Sequence, residues 1–149
     1  MSTSVSKSPA KPAPTRALPV PTPETQHFWD GTAVGELRLQ RCRACGEAYF
    51  PPQPWCAHCA SDGVEVFAAS GAATLHSYVI SHLPAPGFTA PYVIAVVTLA
   101  EGPRMLTNLV GVLPDPGALP LDLALSVEFE SVGDVTLPVF RPTISRGAA

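Results

Sequence analysis

From Val64 onward the pattern of apolar and polar positions becomes that of β-strands. Five strand-like runs follow one another, GAATLHSYVIS, PYVIAVVTL, RMLTNLVGV, LALSVEFES and VTLPVFRP, separated by turn residues. In the fourth run Leu125, Val127 and Phe129 alternate with Ser126, Glu128 and Glu130, which predicts one buried and one wet face. PYVIAVVTL is apolar at nearly every position and predicts a central strand buried on both faces. Glu101-Gly102-Pro103 and Gly133-Asp134 have the composition of hairpin turns. Pro91, Pro103 and Pro138 fall at strand entrances or edges, where a missing N–H is tolerated. Five short antiparallel strands over residues 67–142 suit a small closed barrel, and the OB-fold is the common five-stranded form. Its longest connections, around residues 82–90 and 113–122, are where binding groups are expected.

Upstream, Glu36 to Arg41 (ELRLQR) alternates and predicts a strand leading into the first cysteine pair. Thr22 and Pro23 have the pattern of an N-cap followed by proline at the first helical position. They predict a short helix from about Pro23 to Val34, weakened by Gly31 and ended by Gly35. An aromatic pair on so short a helix either caps the rest of the chain or docks on another subunit, so Phe28 and Trp29 are the candidate partner contacts. Residues 1–23, rich in Pro, Ala, Ser and Thr, lack periodic apolar residues and are expected to be a disordered tail. The expected division is tail 1–23, helix plus ribbon 24–66, barrel 67–142 and C-terminal tail 143–149.

All four cysteines lie in CRACGEAYFPPQPWCAHC, as two C-x-x-C pairs: Cys42 with Cys45, and Cys56 with Cys59. Two such knuckles place four thiolates around one point, which is what a structural tetrahedral Zn²⁺ site requires. Gly46, directly after the first pair, suits a knuckle turn that needs positive φ. A disulfide pair, a rubredoxin-like iron site and a thioredoxin-like redox motif compete with this reading, although a redox C-x-x-C has no reason to come twice. Four cysteines already fill the site, so His58 is expected to point outward. Tyr49, Phe50 and Trp55, among Pro51, Pro52 and Pro54, are expected to shield the metal.

Composition sharpens the picture. Eighteen prolines argue against a helical bundle and for short strands joined by stiff loops. Apolar residues make up 46% of the chain and aromatics 7%, so a small aliphatic core forms and a bound metal compensates where the ribbon lacks one. The first residues contain no apolar h-region and no later stretch approaches a membrane span, so a cytoplasmic location is expected. Reducing cytosol favours metal over disulfide. The net charge of −3 hides an asymmetry: Lys7, Lys11 and Arg16 lie within the first 23 residues, and from residue 24 on six arginines face all twelve acidic residues.

From about Gln26 to Pro142 the chain resembles the zinc-ribbon/OB-fold proteins of acyl-CoA metabolism, long catalogued as a domain of unknown function. The resemblance rests on the lead-in HFWDGTAVGELRLQRC, C-x-x-C-G followed by PPQPWCAHC, the strand after Gly71, PYVIAVVTLAEG and the closing LPVFRP, in that order. The chain departs from the family in having Ala124 where glycine is usual and in lacking a longer helical N-terminal segment. The resemblance implies a rubredoxin-like zinc ribbon before an OB-fold barrel. It also implies a partner: a thiolase-like enzyme or a sterol-carrier-type, lipid-transfer-protein-like aldolase that shortens steroid side chains. In such assemblies the thiolase-fold subunit carries catalysis, and the ribbon/barrel subunit supports assembly and the acyl-CoA channel.

No G-x-S-x-G, H-E-x-x-H or P-loop is present, and His27, His58, His76 and His82 are scattered without matching carboxylates, so no catalytic residue is assigned. For acyl-CoA, phosphates want arginine and the thioester arm wants an apolar channel. The candidate contacts are Arg38, Arg41 and Arg43 at the ribbon entrance, Arg104 opening the third barrel strand, and His82, Phe88 and Tyr92 on the first long loop. The rival reading, a single-stranded nucleic-acid module, requires a positive groove with stacking aromatics. An acidic folded part disfavours it, so no nucleic acid is expected as a partner.

Overall fold

The structure, a computed structural model, describes residues 15–144. The expected tails therefore lie outside the described residues over 1–14 and 145–149. One helix, α1 (Gln26–Ala33), precedes a three-stranded sheet of β1 (Arg38–Cys42), β2 (Ala48–Tyr49) and β3 (Val64–Ala68) in the order β2-β1-β3. Then come β4 (Ala72–Ser81), β5 (Tyr92–Leu99), β6 (Arg104–Leu109), a single 3₁₀ turn (Pro116–Ala118), β7 (Ala124–Val132) and β8 (Val135–Pro142). These five strands close a barrel in the order β4-β5-β6-β8-β7, with β7 pairing back onto β4. All five predicted barrel strands are present, and both predicted hairpin turns join their strands.

The barrel explains why the expectation for β5 fails. Val93, Ala95, Val97 and Leu99 are buried, while the alternate residues from Tyr92 to Thr98 are only half-buried. A closed barrel has a single dry interior, so a strand in it cannot be buried on both faces however apolar it is. In β4 an extra residue at His76 shifts the register between Leu75 and Ser77. Ala73 and Leu75 point inward before the bulge, whereas Tyr78 and Ile80 pack on the core after it. Closure is weakest between β6 and β8, which pair in parallel at Leu109 and Phe140. Next to that point the Thr107 hydroxyl donates to the Pro138 carbonyl (3.0 Å).

Helix α1 starts three residues later than the Thr22-Pro23 pattern predicts. The Thr25 N–H donates to the Thr22 carbonyl (3.0 Å) and the Thr22 N–H to Thr25 Oγ1 (2.9 Å), so Pro23 sits inside a closed turn. Thr25 becomes the N-cap, and its hydroxyl is already engaged with that turn. At the other end Gly35 at φ +79° reverses the chain, and the Glu36 N–H returns to the Gly31 carbonyl (2.9 Å).

The two expected units share one core. Phe28 of α1, Leu37 just before β1 and Leu39 within it join the barrel's Leu75, Val97 and Phe140 in one cluster. A smaller cluster of Cys42, Tyr49 and Cys56, with Val64 against it, is confined to the knuckles. The main core thus spans both sides of residue 66, and the change of core falls inside the ribbon. Within the expected tail 1–23, Arg16 lies against the barrel with 16% of its side chain exposed.

Gly71, which opens β4, tests this packing. It holds φ +81°, accepts the Val127 N–H (2.8 Å), and an added Cβ would lie 2.5 Å from Val127 Cγ1. Gly71→Ala is expected to destabilise the protein by about 2–4 kcal/mol in urea unfolding. Gly102 has φ +110° but open space around it, so Gly102→Ala should cost only about 1–2 kcal/mol. Equal losses at the two positions would contradict the packing role of Gly71.

Candidate metal centre and the adjoining groove

The first knuckle links β1 to β2. The Gly46 N–H returns to the Cys42 carbonyl (2.9 Å) and the Cys42 N–H to the Glu47 carbonyl (3.0 Å), with Gly46 at φ +78°. The second knuckle repeats this: the Ala60 N–H returns to the Cys56 carbonyl (3.0 Å), and Ala60 adopts φ +61°. Alanine in the left-handed region hides the correspondence from a reading that looks for glycine. The Cys56 N–H to Ser61 carbonyl bond closes the second knuckle as Cys42 to Glu47 closes the first, and the Arg43 N–H to Gly63 carbonyl bond ties the first knuckle to the segment after the second; the Cys56 and Arg43 bonds are each 2.8 Å.

These turns bring the four Sγ atoms within 4.8 Å of one another. Cys42 to Cys59 and Cys45 to Cys56 are each 3.6 Å apart. A tetrahedral ion bound at about 2.3 Å would hold its sulfurs about 3.8 Å apart, whereas a disulfide needs about 2.05 Å. The geometry fits one metal ion and excludes disulfide bonding in this arrangement. The His58 and Cys59 N–H groups donate to Cys56 Sγ (3.3 and 3.4 Å), which offsets charge on that sulfur. His58 is exposed and outside the four-sulfur group, as expected.

Electrostatics point the same way. The Cys45 N–H, assisted by that of Ala44 and the Cys59 thiol, pulls the Cys42 thiol down to about 6 against the effect of burial. Although the Glu47 N–H favours ionisation of Cys45, burial and the thiols of Cys56, Cys42 and Cys59 outweigh it and push Cys45 up to about 12. Cys59 is also raised: the Ser61 N–H lowers it, but the Cys42 thiol and burial prevail. One sulfur ionises readily and its neighbours then resist a second like charge. A divalent cation removes that conflict.

The other predicted residues do not form one site. Arg38 Nε donates to Glu36 (2.8 Å), Arg43 Nε to Glu65 (3.2 Å), and the Arg41 guanidinium sits 4.0 Å above the Phe67 ring. Each ribbon arginine is thus engaged within the chain, and the three do not converge. Arg104 is exposed and shares a cleft with Glu47, Tyr49 and His58. His82 is exposed on its loop. Phe88 and Tyr92 are brought together, stacked with centroids 4.7 Å apart. Phe28, 4% exposed, packs on Phe50 (5.3 Å) and belongs to the core, so of the two helix aromatics only half-buried Trp29 keeps surface for a partner.

Between α1, the proline-rich hairpin and the β6–β8 seam runs an apolar groove of about 330 Å³. Trp29, Phe50, Pro52, Leu106 and Pro138 line it, with Arg16 at one end. Leu106, 71% exposed, went unnoticed in the sequence because it occupies the outward position of a strand whose alternate residues fill the barrel. Among the described residues the ion pairs are all between arginine and carboxylate, and no histidine is joined to an acid.

Because the knuckle cluster is distinct from the main core, metal removal is expected to expose Tyr49, now 4% exposed, while amides of β4 and β5 stay protected from exchange. Purified protein should carry about one metal ion per chain. Its four thiols should react only after chelation. Global loss of barrel protection on chelation would show that the small cluster holds up the whole fold.

Residues 29–65 match the family described as "ChsH2, rubredoxin-like zinc ribbon domain", and residues 67–130 match "ChsH2, C-terminal OB-fold domain". The chain is 37% identical over 135 residues to a "Probable enoyl-CoA hydratase alpha subunit" of Thermomonospora curvata, a match covering 90% of this chain and 42% of that protein. It is also 37% identical over 120 residues to the "3-oxo-4,17-pregnadiene-20-carboxyl-CoA hydratase alpha subunit" of Mycobacterium tuberculosis, covering 80% and 38%. The chain therefore spans about two fifths of the length of these curated relatives. Among solved structures, "Ltp2-ChsH2(DUF35) aldolase" superposes with a TM-score of 0.74 at 35% identity, covering 84% of this chain and 98% of that one. With four sulfurs poised on two knuckles, a five-stranded barrel behind them and both halves matched in order, the chain belongs to the ChsH2 (DUF35) family of zinc-ribbon/OB-fold proteins.

Proposed function

We propose that the chain is the non-catalytic, Zn²⁺-bearing subunit of a thiolase-fold, lipid-transfer-protein-like acyl-CoA aldolase, acting in the cytoplasm. The observation that carries this reading is the likeness to the ChsH2(DUF35) aldolase chain over 98% of that chain's length. The chemistry of this chain agrees with it. Four thiolates fill a tetrahedral ion's coordination, so the centre offers no position for a water nucleophile and serves to hold structure. Zinc suits the site because it takes four sulfurs without demanding a redox role.

The printed name of the mycobacterial relative supports a steroid-type acyl-CoA as the substrate of the assembly. Catalysis is assigned to the partner. The docking face is assigned to the groove around Trp29 and Leu106, where an aromatic and an exposed leucine flank a proline-lined wall. Arg104 in its cleft and the Phe88–Tyr92 stack remain the candidates for acyl-CoA contact, since the ribbon arginines already have partners within the chain.

Co-expression with a thiolase-fold aldolase subunit tests the proposal. The two are expected to co-purify, and aldol cleavage of the acyl-CoA should require both. Trp29→Ala and Leu106→Asp should each weaken association by about tenfold or more while leaving the metal content unchanged. A partner that is soluble and fully active alone, eluting apart from this chain, would refute the subunit reading.

A further inference from the structure

Residues 15–22 have no regular secondary structure, yet they lie across the barrel in a built contact. The Arg16 guanidinium sits 4.1 Å above the centroid of the Phe88 ring, whose opposite neighbour in the stack is Tyr92. Arg16 Nη2 donates to Asn108 Oδ1 (3.2 Å), and Nη1 faces Glu130 Oε1 at 3.8 Å. Asn108 is itself oriented, because its Nδ2 donates to the Val93 carbonyl (3.0 Å), which leaves Oδ1 free to accept. Gly87 completes the fit: it holds φ +77°, and a Cβ there would lie 2.5 Å from Arg16 Cβ and 2.8 Å from its backbone N. A planar cation thus meets an aromatic face, an amide oxygen and a carboxylate, with a glycine making room for its backbone. That set of groups reads a guanidinium in preference to an ammonium, which lacks the flat face that stacks.

We propose that Phe88, Asn108 and Glu130, backed by Tyr92 and admitted by Gly87, form a binding site for an arginine side chain on an extended segment, occupied in the free protein by this chain's own Arg16. The cage is assembled from three separate stretches, the 82–91 connection, β6 and β7, so its occupant also ties the long connection to the barrel wall. Arg16 stands where the apolar groove meets the clefts around Phe88, and Asn108 lines all of them. Filling the cage therefore separates these spaces, and vacating it joins them along the outer face of β6. Tethering explains how so small a contact persists. A short connection holds Arg16 near the cage at an effective concentration of about millimolar, so a weak site stays filled in cis. An arginine supplied in trans competes only when its own segment adds contacts or when Arg16 is absent. This inference concerns the chain alone and stands or falls independently of the proposed partner.

The test uses the full chain carrying Arg16→Ala and a synthetic peptide of residues 13–22, followed by NMR. At millimolar concentration the peptide is expected to shift the Phe88, Tyr92 and Asn108 signals of Arg16→Ala saturably. Wild-type protein should need about tenfold more peptide for the same shift, because Arg16 already competes. A peptide with alanine in place of its arginine should have no such effect, and one with lysine should bind about tenfold more weakly than the arginine form. In Arg16→Ala alone, exchange of the Phe88 N–H, which bonds the Ala85 carbonyl (2.9 Å), should rise and then fall again with the arginine peptide. The proposal is overturned if wild type and variant respond equally, if the alanine or lysine peptide matches the arginine one, or if no peptide binds the variant. A second variant, Asn108→Leu, guards against a trivial loss of fold: it should keep barrel exchange protection and abolish peptide binding when combined with Arg16→Ala.

Discussion

Four sulfurs within 4.8 Å cannot all carry charge unless a cation sits among them, and the ribbon is organised by that constraint. Each knuckle makes a tight turn to aim two thiols at one point, and each turn ends on a residue with positive φ, Gly46 or Ala60. The first is conformationally cheap and the second is not. The backbone N–H groups pull Cys42 down while burial and the neighbouring thiols push Cys45 up, so the four sulfurs do not ionise independently. The fold has accepted this conflict inside a chain with few aromatics and little core of its own at the knuckles. Bound metal turns the conflict into a clamp that closes a loop of prolines between two pairs of ligands.

The clamp reaches the rest of the molecule through two consecutive residues. Tyr49 packs in the cysteine cluster, and Phe50, next in the chain, points the other way onto Phe28 and into the groove. The proline hairpin that follows is pinned from below: the Gln53 N–H donates to the buried Gln40 Oε1 of β1 (2.7 Å), and the Tyr49 hydroxyl to the Gln53 carbonyl (3.4 Å). Loosening the knuckles frees one wall of the groove, while α1 and the β6–β8 seam keep the other two in place. A metal held by the knuckles would therefore bear on the shape of that groove without lining it.

Much of this architecture is legible in the sequence because it depends on local patterns. Strand-like runs between turn residues place all five barrel strands, Gly102 and Gly133 mark their turns, and paired cysteines locate the knuckles. What escapes depends on closure and on long-range partners. PYVIAVVTL looks doubly buried because apolarity alone cannot say whether a second dry layer exists, and a closed barrel offers none. Thr22-Pro23 resembles a helix start, but the turn formed by Thr22 and Thr25 delays it. Arg38, Arg41 and Arg43 look like a cluster in sequence, whereas each is held by its own partner, Glu36 before β1 and Phe67 and Glu65 at different positions of β3. Arg16 is hidden for the opposite reason: its surroundings are tail-like, and its cage exists only once the 82–91 connection, β6 and β7 are folded together.

The shared core also decides how the two halves should be thought of. Leu37 and Leu39 belong to the same cluster as Phe140, fully buried in the last barrel strand. A ribbon with only Cys42, Tyr49 and Cys56 to bury would gain little from the hydrophobic effect, and α1 would have no apolar surface to cover. Lending Leu37, Leu39 and Phe28 to the barrel's core solves both problems. The consequence is mechanical: α1 and β1 cannot rotate as a unit against the barrel without opening that core, so movement is left to the knuckles and to the 82–91 connection. Both border the surfaces where Arg104, Trp29 and Phe88 lie, which places the deformable parts of an otherwise rigid body beside its candidate contacts.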